Sequence, residues 1–313
     1  MDHEIELRHI RYFAAVAEEL HFGRAARKLH LSQPPLSQQI RRLEELLGYP
    51  LFVRTSRAVR LTSAGEVFLE RAQRTLRKME EDVEAMRRVA RGEAGTLAVG
   101  FIGSSVLTEI PAMLGQYRAR FPKVTLQLRE GHTSDVIRSL KEGSLDVGFL
   151  RDGDPTEGLK IEPIFSEAFL AVLPAQHPLA RRSERRAVDA SELKDEPFVF
   201  FSPTAGHRAY ETPISICEAA GFRPRVVQEA PQWLTIMRLV GAGLGVSIGP
   251  ACVERIGTPD VACRRLSAPG PADEVRSEIE LAWRQGDDRP IVDAFCRMAR
   301  QNLRPRSKPA RRD

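Results

Sequence analysis

The chain has 313 residues, of which 42% are hydrophobic and 28% charged, and a formal net charge of +5. That make-up belongs to a folded protein with room for two or three domains, and no apolar run approaches the length of a membrane span. The opening MDHEIELRH lacks an apolar leader segment, which points away from secretion and towards the cytoplasm.

Leu7, Ile10, Phe13, Ala14, Ala17 and Leu20 recur at helical spacing and predict a first helix. Gly23 to Leu29 predicts a short second one, buried through Ala25, Ala26 and Leu29. His30 and Leu31 make a tight turn, and Ser32 is the expected N-cap of a third helix opening with Gln33, Pro34 and Pro35. Prolines are tolerated there because first-turn amides have no acceptor within the helix. Leu36, Ile40, Leu43 and Leu47 form its apolar stripe, while Pro34, Ser37, Gln38, Arg41 and Glu45 lie on the other side. A short helix, a tight turn and a polar-faced helix predict a helix-turn-helix whose second helix suits the DNA major groove. Glutamine can pair with adenine, and serine or arginine can reach base edges or phosphates. An ordinary surface helix is the alternative.

Pro50 to Thr62 reads as strand, turn, strand, with Leu51 and Val53 set against Val59 and Leu61. This would be a basic wing whose Arg54, Arg57 and Arg60 suit phosphate or minor-groove contact. Between Leu20 and Arg60 eight basic residues stand against two acidic ones, a local excess of six that exceeds the charge of the whole chain. Such an excess points to a polyanion partner, with a solvated basic face as the alternative.

The run LRHIRYFAAVAEELHFGRAARKLHLSQPPLSQQIRRLEELLGYPLFVRTSRAVRLTSAGEVFL, Leu7 to Leu69, resembles the DNA-binding region of LysR-type transcriptional regulators. Its opening and the SQPPLS step resemble the branch that regulates aromatic catabolism in response to muconate, benzoate or chlorocatechol products. The resemblance implies that Gln33, Pro34, Ser37 and Gln38 contact promoter DNA. Gln38 stands where many members carry arginine, which implies an altered base preference.

Thr62 to Gly92 predicts one long helix. Phe68, Ala72, Leu76, Met79, Val83, Met86 and Ala90 alternate spacings of four and three, a seam that faces a partner helix or packs on its own domain. By resemblance it is a dimerising linker in a dimer of dimers, and paired binding units explain reading of interrupted palindromes. RGEAG, Arg91 to Gly95, is the expected hinge.

From Thr96 the pattern alternates between strands and helices. The sequence predicts a strand TLAVGF, a helix over Ser105 to Phe121, a strand VTLQLRE, a helix over Ser134 to Glu142 and a strand LDVGFL. A second set follows: FLAVLP, PFVFF, a helix from Tyr210 to Ala220, RVVQE, a helix from Gln232 to Ala242, and GVSIGP. EIELAW and a helix from Arg289 to Asn302 are expected to return to the first set. This is the signature of parallel sheet with crossover helices. The resemblance implies a two-lobed, periplasmic-binding-protein-like α/β effector domain. The expected organisation is a winged helix-turn-helix over 1–62, a linker helix over 63–92 and the effector domain over 93–303. Lobe I covers about 96–165 and 270–303, lobe II about 166–269, and a basic disordered tail runs over 304–313.

Ligands in open α/β sheets sit beyond the carboxyl ends of strands. There the sequence offers Ser104 and Ser105 in IGSS, Thr133 in EGHTSD, and Ser202, Pro203 and Thr204 in FSPTAGH. Hydroxyls and helix N-terminal amides suit an anion, although each residue alone also reads as a cap or turn. The resemblance implies that Ser104 and Thr133 bind an inducer carboxylate and that the Ser202–Thr204 stretch closes over it.

No GxSxG, P-loop, HExxH or in-context GxGxxG is present, so no enzyme is expected, and no cofactor or metal. Cys217, Cys252, Cys263 and Cys296 form no metal-spaced cluster and read as core residues, with a redox-sensing Cys252–Cys263 pair as the alternative. The expected partners are double-stranded promoter DNA, a small carboxylate effector, further copies of the chain and RNA polymerase.

Overall fold

The computed structural model describes residues 5–55, 58–183, 186–203 and 206–303, without the side chains of 272 and 273. The chain divides into two compact units between Arg87 and Arg88.

The first unit contains α1 (Leu7–Glu19), α2 (Phe22–Lys28), α3 (Gln33–Leu47), β1 (Phe52–Arg54), β2 (Val59–Leu61) and most of α4 (Ser63–Ala90). Its core is built from Phe13, Val16, Ala25, Leu36, Ile40 and Leu43, with Phe13 set against Phe52 at 5.3 Å and Phe68 at 4.9 Å between ring centroids. Leu20 leaves the predicted stripe: it caps α1 in the left-handed region, φ 44, and is 45% exposed. Ser32 occupies the N-cap position of α3, yet its side chain makes no capping hydrogen bond. The reason is in the next residues. A capping oxygen accepts from the second or third helical N–H, and both places hold proline, which has none.

The strands β1 and β2 pair antiparallel, Phe52 opposite Leu61. The first turn of α4 rides directly on the wing: a Cβ at Gly65 would stand 2.2 Å from the Leu51 carbonyl oxygen. Phe68, Leu69 and Ala72 then complete the core of this unit.

The second unit contains β3 (Ala94–Ile102), α5 (Ile110–Arg120), β4 (Lys123–Gly131), α6 (Thr133–Lys141), β5 (Val147–Arg151) and β6 (Leu159–Pro174). It continues with β7 (Val188–Asp189), β8 (Pro197–Phe201), α7 (His207–Ala219), β9 (Arg225–Ala230), α8 (Trp233–Gly241) and β10 (Ser247–Pro250). It ends with β11 (Val261–Ser267), β12 (Arg276–Arg284) and α9 (Pro290–Asn302). The main sheet has the order β4-β3-β5-β12-β6-β11-β7, with β10 also paired to β6, while β8 and β9 form a separate parallel pair. Only part of the expected parallel sheet is therefore present: β3 is parallel to β4 and β5, but β12 is antiparallel to both β5 and β6.

The strand predicted as FLAVLP is the second half of the 16-residue β6, which belongs to both lobes. Its first half pairs with β12 and packs Ile164 into one core with Val147, Phe149, Leu281 and Phe295; its second half pairs with β10 and β11 and packs Phe169, Ala171 and Leu173 into another. The first half of β6, with β7 and β11, had no distinct alternation to announce it. Through β12 and α9 the chain returns to the first core.

The helix predicted from Ser105 to Phe121 is interrupted. A 3-10 turn covers Gly103–Leu107, Thr108 is extended, and α5 starts at Ile110 with a proline in its first turn. Pro111 has no N–H to donate to the Leu107 carbonyl four residues back, and Thr108 Oγ1 accepts from the Ile110 N–H at 3.3 Å.

Candidate functional site

In the first unit the polar side of α3 is open. Gln33, Pro34, Gln38 and Arg41 are exposed and Ser37 is half-buried, while Leu36, Ile40 and Leu43 on the opposite side are fully buried. The helix is fixed from behind. Gln39 Oε1 lies 3.0 Å from Nε2 of the buried His9 on α1. Glu44 Oε1 accepts from the N–H groups of Leu51 and Phe52 at 2.8 and 3.1 Å. A rigid helix with an open face of amide, hydroxyl and guanidinium groups suits base-edge reading in a groove.

The basic residues divide into two sets. Arg24 pairs with Glu19, Lys28 with Glu18 and Arg42 with Glu45. Arg54 is the larger departure: its guanidinium bonds Glu44 at 2.6 Å and lies 4.9 Å above the Phe22 ring. These contacts bracket the wing to the helices. Arg41 and Arg60 are exposed and have no acidic partner among the described residues. Arg57 lies outside the described residues.

Along α4 the predicted seam also divides. Phe68 and Ala72 face their own unit's core and leave the seam. Met79 is 46% exposed and Met86 64%, Ala90 is exposed, and Leu76 and Val83 are half-covered. Such a row of apolar side chains on a charged helix suits a second helix.

In the second unit a cleft of about 880 Å³ opens between the two cores. Ser104 and Thr133, both buried, line it. Ser105 does not: it is fully buried and its Oγ has no hydrogen-bond partner among the described residues. Ser202 and Pro203 are not among the described lining residues, and Thr204 lies outside the described residues.

The centre of the cleft wall is Arg151, at the carboxyl end of β5. Its Nε donates to Ser104 Oγ at 3.0 Å, Nη1 to Ser277 Oγ at 2.6 Å, and Nη2 to Glu167 Oε1 at 3.0 Å and Cys252 Sγ at 3.4 Å. Glu167 Oε2 in turn accepts from the Cys252 N–H at 2.6 Å. Sequence reasoning missed Arg151, although the rule that found Ser104 and Thr133 applies equally to the residue ending LDVGFLR.

These bonds separate the two hydroxyls. Thr133 Oγ1 donates to the Arg151 carbonyl at 3.1 Å and accepts from the Arg151 N–H at 3.3 Å, so its proton is already used. Ser104 Oγ accepts from a guanidinium, which leaves its own proton for a ligand. Two helix N-termini reach the same cleft, α6 at Thr133 and α8 at Trp233. The first turn of α8 has no acidic residue and no side-chain cap, so its amides remain available to an anion.

The rest of the wall is apolar, with Phe169, Phe200, Phe201 and Trp233. Trp233 lies 5.2 Å from Phe201 between ring centroids, and a Cβ at Gly249 would come within 2.7 Å of its indole. Glycine at 249 therefore gives the ring its seat. This wall too was missed, because PQWL offers one aromatic and no pattern.

The thiols do not support a redox pair. Burial pushes Cys252 up to about 12 and Cys263 up to about 11, away from the reactive thiolate. Among the described residues no group of His, Cys, Asp or Glu is placed to hold a metal ion, and no helix is long and apolar enough to cross a membrane.

Comparison with known proteins follows the same division. The family model for the bacterial regulatory helix-turn-helix protein, lysR family, matches residues 7–66, and that for the LysR substrate binding domain matches residues 90–304. The HTH-type transcriptional regulator AlsR of Bacillus subtilis is 38% identical over 94% of this chain and 95% of its own. ClcR of Pseudomonas putida is 39% identical, covering 94% and 98%, and the Hca operon transcriptional activator HcaR of Escherichia coli is 35% identical, covering 96% and 98%. Among solved structures, the LysR family transcriptional regulator CbnR superposes with a TM-score of 0.82 at 29% identity, covering 95% of this chain and all of that one. CbnR complexed with its target DNA gives 0.78 at 28% identity, covering 96% and 100%.

Proposed function

Because this chain belongs to the LysR family of transcriptional regulators, DNA-binding proteins with a domain for a small-molecule effector, we propose how it divides that work. Gln33, Ser37 and Gln38 read bases in a major groove, and Arg41 and Arg60 hold phosphates. The open seam from Leu76 to Ala90 joins two copies, and a dimer of dimers sets two such pairs on one cytoplasmic promoter, beside RNA polymerase. The effector is a small carboxylate with a flat apolar body, of the kind met in aromatic catabolism.

One observation carries the effector reading. The cleft joins an anion seat, the Ser104 hydroxyl and the uncapped amides of α8, to an aromatic wall of Trp233 and Phe201. Partial positive charge at helix N-termini favours a carboxylate, and the wall favours a ring that stacks. The spread of relatives, from AlsR to ClcR to HcaR, leaves the pathway to this geometry.

The test is a fluorescence titration in a Trp283→Phe background, where Trp233 is the remaining tryptophan. Benzoate should quench it, cyclohexanecarboxylate and acetate should bind more weakly, and Ser104→Ala should weaken benzoate. Benzamide binding as tightly as benzoate, or equal binding by Ser104→Ala, would refute the carboxylate seat.

A further inference from the structure

Beside the cleft lies a pair of buried acids that the effector reading leaves unused. Asp152 and Glu280 are 3% and 5% exposed. Gly153 connects them, since it follows Asp152 and its N–H donates to Glu280 Oε2 at 2.6 Å. The Gly153 carbonyl accepts from Arg208 Nη1 at 2.8 Å. Arg208 stands in the first turn of α7, whose Ile214, Ile216 and Cys217 pack into the other lobe's core. One glycine thus receives a tie from the second lobe, and Glu280 holds that glycine in place. At the same end of α7, Gly206 comes so near that a Cβ there would stand 3.3 Å from the Thr133 Cβ.

The acids are also wired to the anion seat. Asp152, with φ 47, lines the cleft and accepts from Ser277 Oγ at 2.9 Å and the Glu278 N–H at 2.7 Å. Ser277 accepts from Arg151, and Arg151 donates to Ser104. We propose that the Asp152–Glu280 pair is a proton-binding site coupled to the cleft: a carboxylate effector enters with uptake of a proton from solvent at Glu280, and the Arg208 tie between the lobes answers to acidity as well as to effector. The effector half of this inference rests on the carboxylate reading.

The balance of groups around Glu280 makes such uptake cheap. The Gly153 N–H and Arg208 favour its ionised form; burial, Asp152 and Glu278 oppose it, and burial is the largest of these. Leu150 of β5 and Pro163 of β6 stand opposite it in the sheet, and α6 packs the apolar Val136 and Leu140 beside Ala282. Burial pushes Glu280 up to about 7, and it raises Asp152 as well. A second negative charge near Asp152 adds to the opposing side, and a proton on Glu280 relieves it. One O–H bond forms on the carboxylate, while the other oxygen keeps the Gly153 N–H. Linkage is reciprocal, so acid favours the effector-bound form.

The test uses the full-length protein carrying carboxyl-13C glutamate. The resonance missing from Glu280→Gln is that of Glu280. Its titration midpoint should lie near neutrality, rise in Arg208→Gln, and rise with saturating benzoate. Calorimetry of benzoate near pH 7, in two buffers of unlike ionisation enthalpy, should show proton uptake that Glu280→Gln loses. A midpoint in the ordinary carboxylate range, or benzoate binding without proton uptake, overturns the proposal. If benzoate does not bind, the carboxylate reading fails, and the Glu280 midpoint with its response to Arg208→Gln decides the proton site by itself.

Discussion

The two units are held by contacts of different reach. In the helix-turn-helix unit the bracket around Glu44 joins residues seven to ten apart, Leu51 and Phe52 by their amides and Arg54 by its guanidinium. In the effector unit Arg151 reaches Cys252 across 101 positions and Ser277 across 126, and Gly153 reaches Glu280 across 127. A bracket between near neighbours lies within one short stretch of pattern. A region closed by distant partners assembles its chemistry only when the whole sheet is in place.

That contrast can be broken most forcefully at Arg151. Arg151→Met leaves Glu167, 11% exposed in its side chain, buried without its cation. The loss should be about 3–5 kcal/mol. Both tryptophans, Trp233 and Trp283, lie in the effector unit, so tryptophan fluorescence follows that unit alone. Its melting should fall sharply in this variant, while the helix-turn-helix unit, followed by DNA binding at low temperature, is retained.

A charge on the α4 seam comes next. Met79 is exposed within the chain, so Met79→Asp keeps the fold. Placed in a helix pair it becomes a buried unpaired charge, costing about 2 kcal/mol or more. Sedimentation should show a smaller species with unchanged circular dichroism; an assembly of wild-type size would exclude the seam.

Gly65→Ala is the counterpart of the Arg151 variant in the other unit. The new Cβ collides with the Leu51 carbonyl, and the shift it forces should cost about 1–3 kcal/mol. Tryptophan-detected melting should not move, whereas DNA binding should be lost at a lower temperature than in wild type.

Within the DNA-reading surface the expected differences are of kind as well as size. Gln38→Ala should cost about 1–3 kcal/mol at one base pair of an operator panel. Arg60→Ala should weaken all sequences alike and flatten the salt dependence. Arg54→Ala should act on the stability of the wing through Glu44 and Phe22, with little change in salt slope.

The smallest effect is a change of slope with pH. Glu280 is pushed up from 4.5 to about 7 in the folded chain. Between those values the native state keeps a proton that the unfolded state has released. Its contribution is therefore present below the unfolded value and is lost as pH rises through the folded one. Glu280→Gln should flatten the pH dependence of the tryptophan-detected melting temperature across that window, and an unchanged slope would count against a raised Glu280.

The sequence by itself determined most of the helices, though not the break before α5, and the buried stripe of α3 and the open polar side opposite it, because periodicity states directly which side of an element is apolar. It also placed Ser104 and Thr133 at strand ends, since alternation marks where a strand stops. The cap expected at Ser32 is not made, as two prolines leave no N–H for the hydroxyl to accept. What a side chain binds was not legible. Arg54 pairs with Glu44 instead of standing free, Phe68 and Ala72 turn into their own core, and Thr133 uses its proton on Arg151. Arg151 and Trp233 became visible as site residues only in the folded sheet. A pattern along the chain records burial, which is a property of one residue, whereas a hydrogen bond or a cleft wall belongs to two or more residues. Their meeting depends on β6 running through both lobes and pairing antiparallel with β12 along its first half, and that pairing is decided by the closure of the whole sheet.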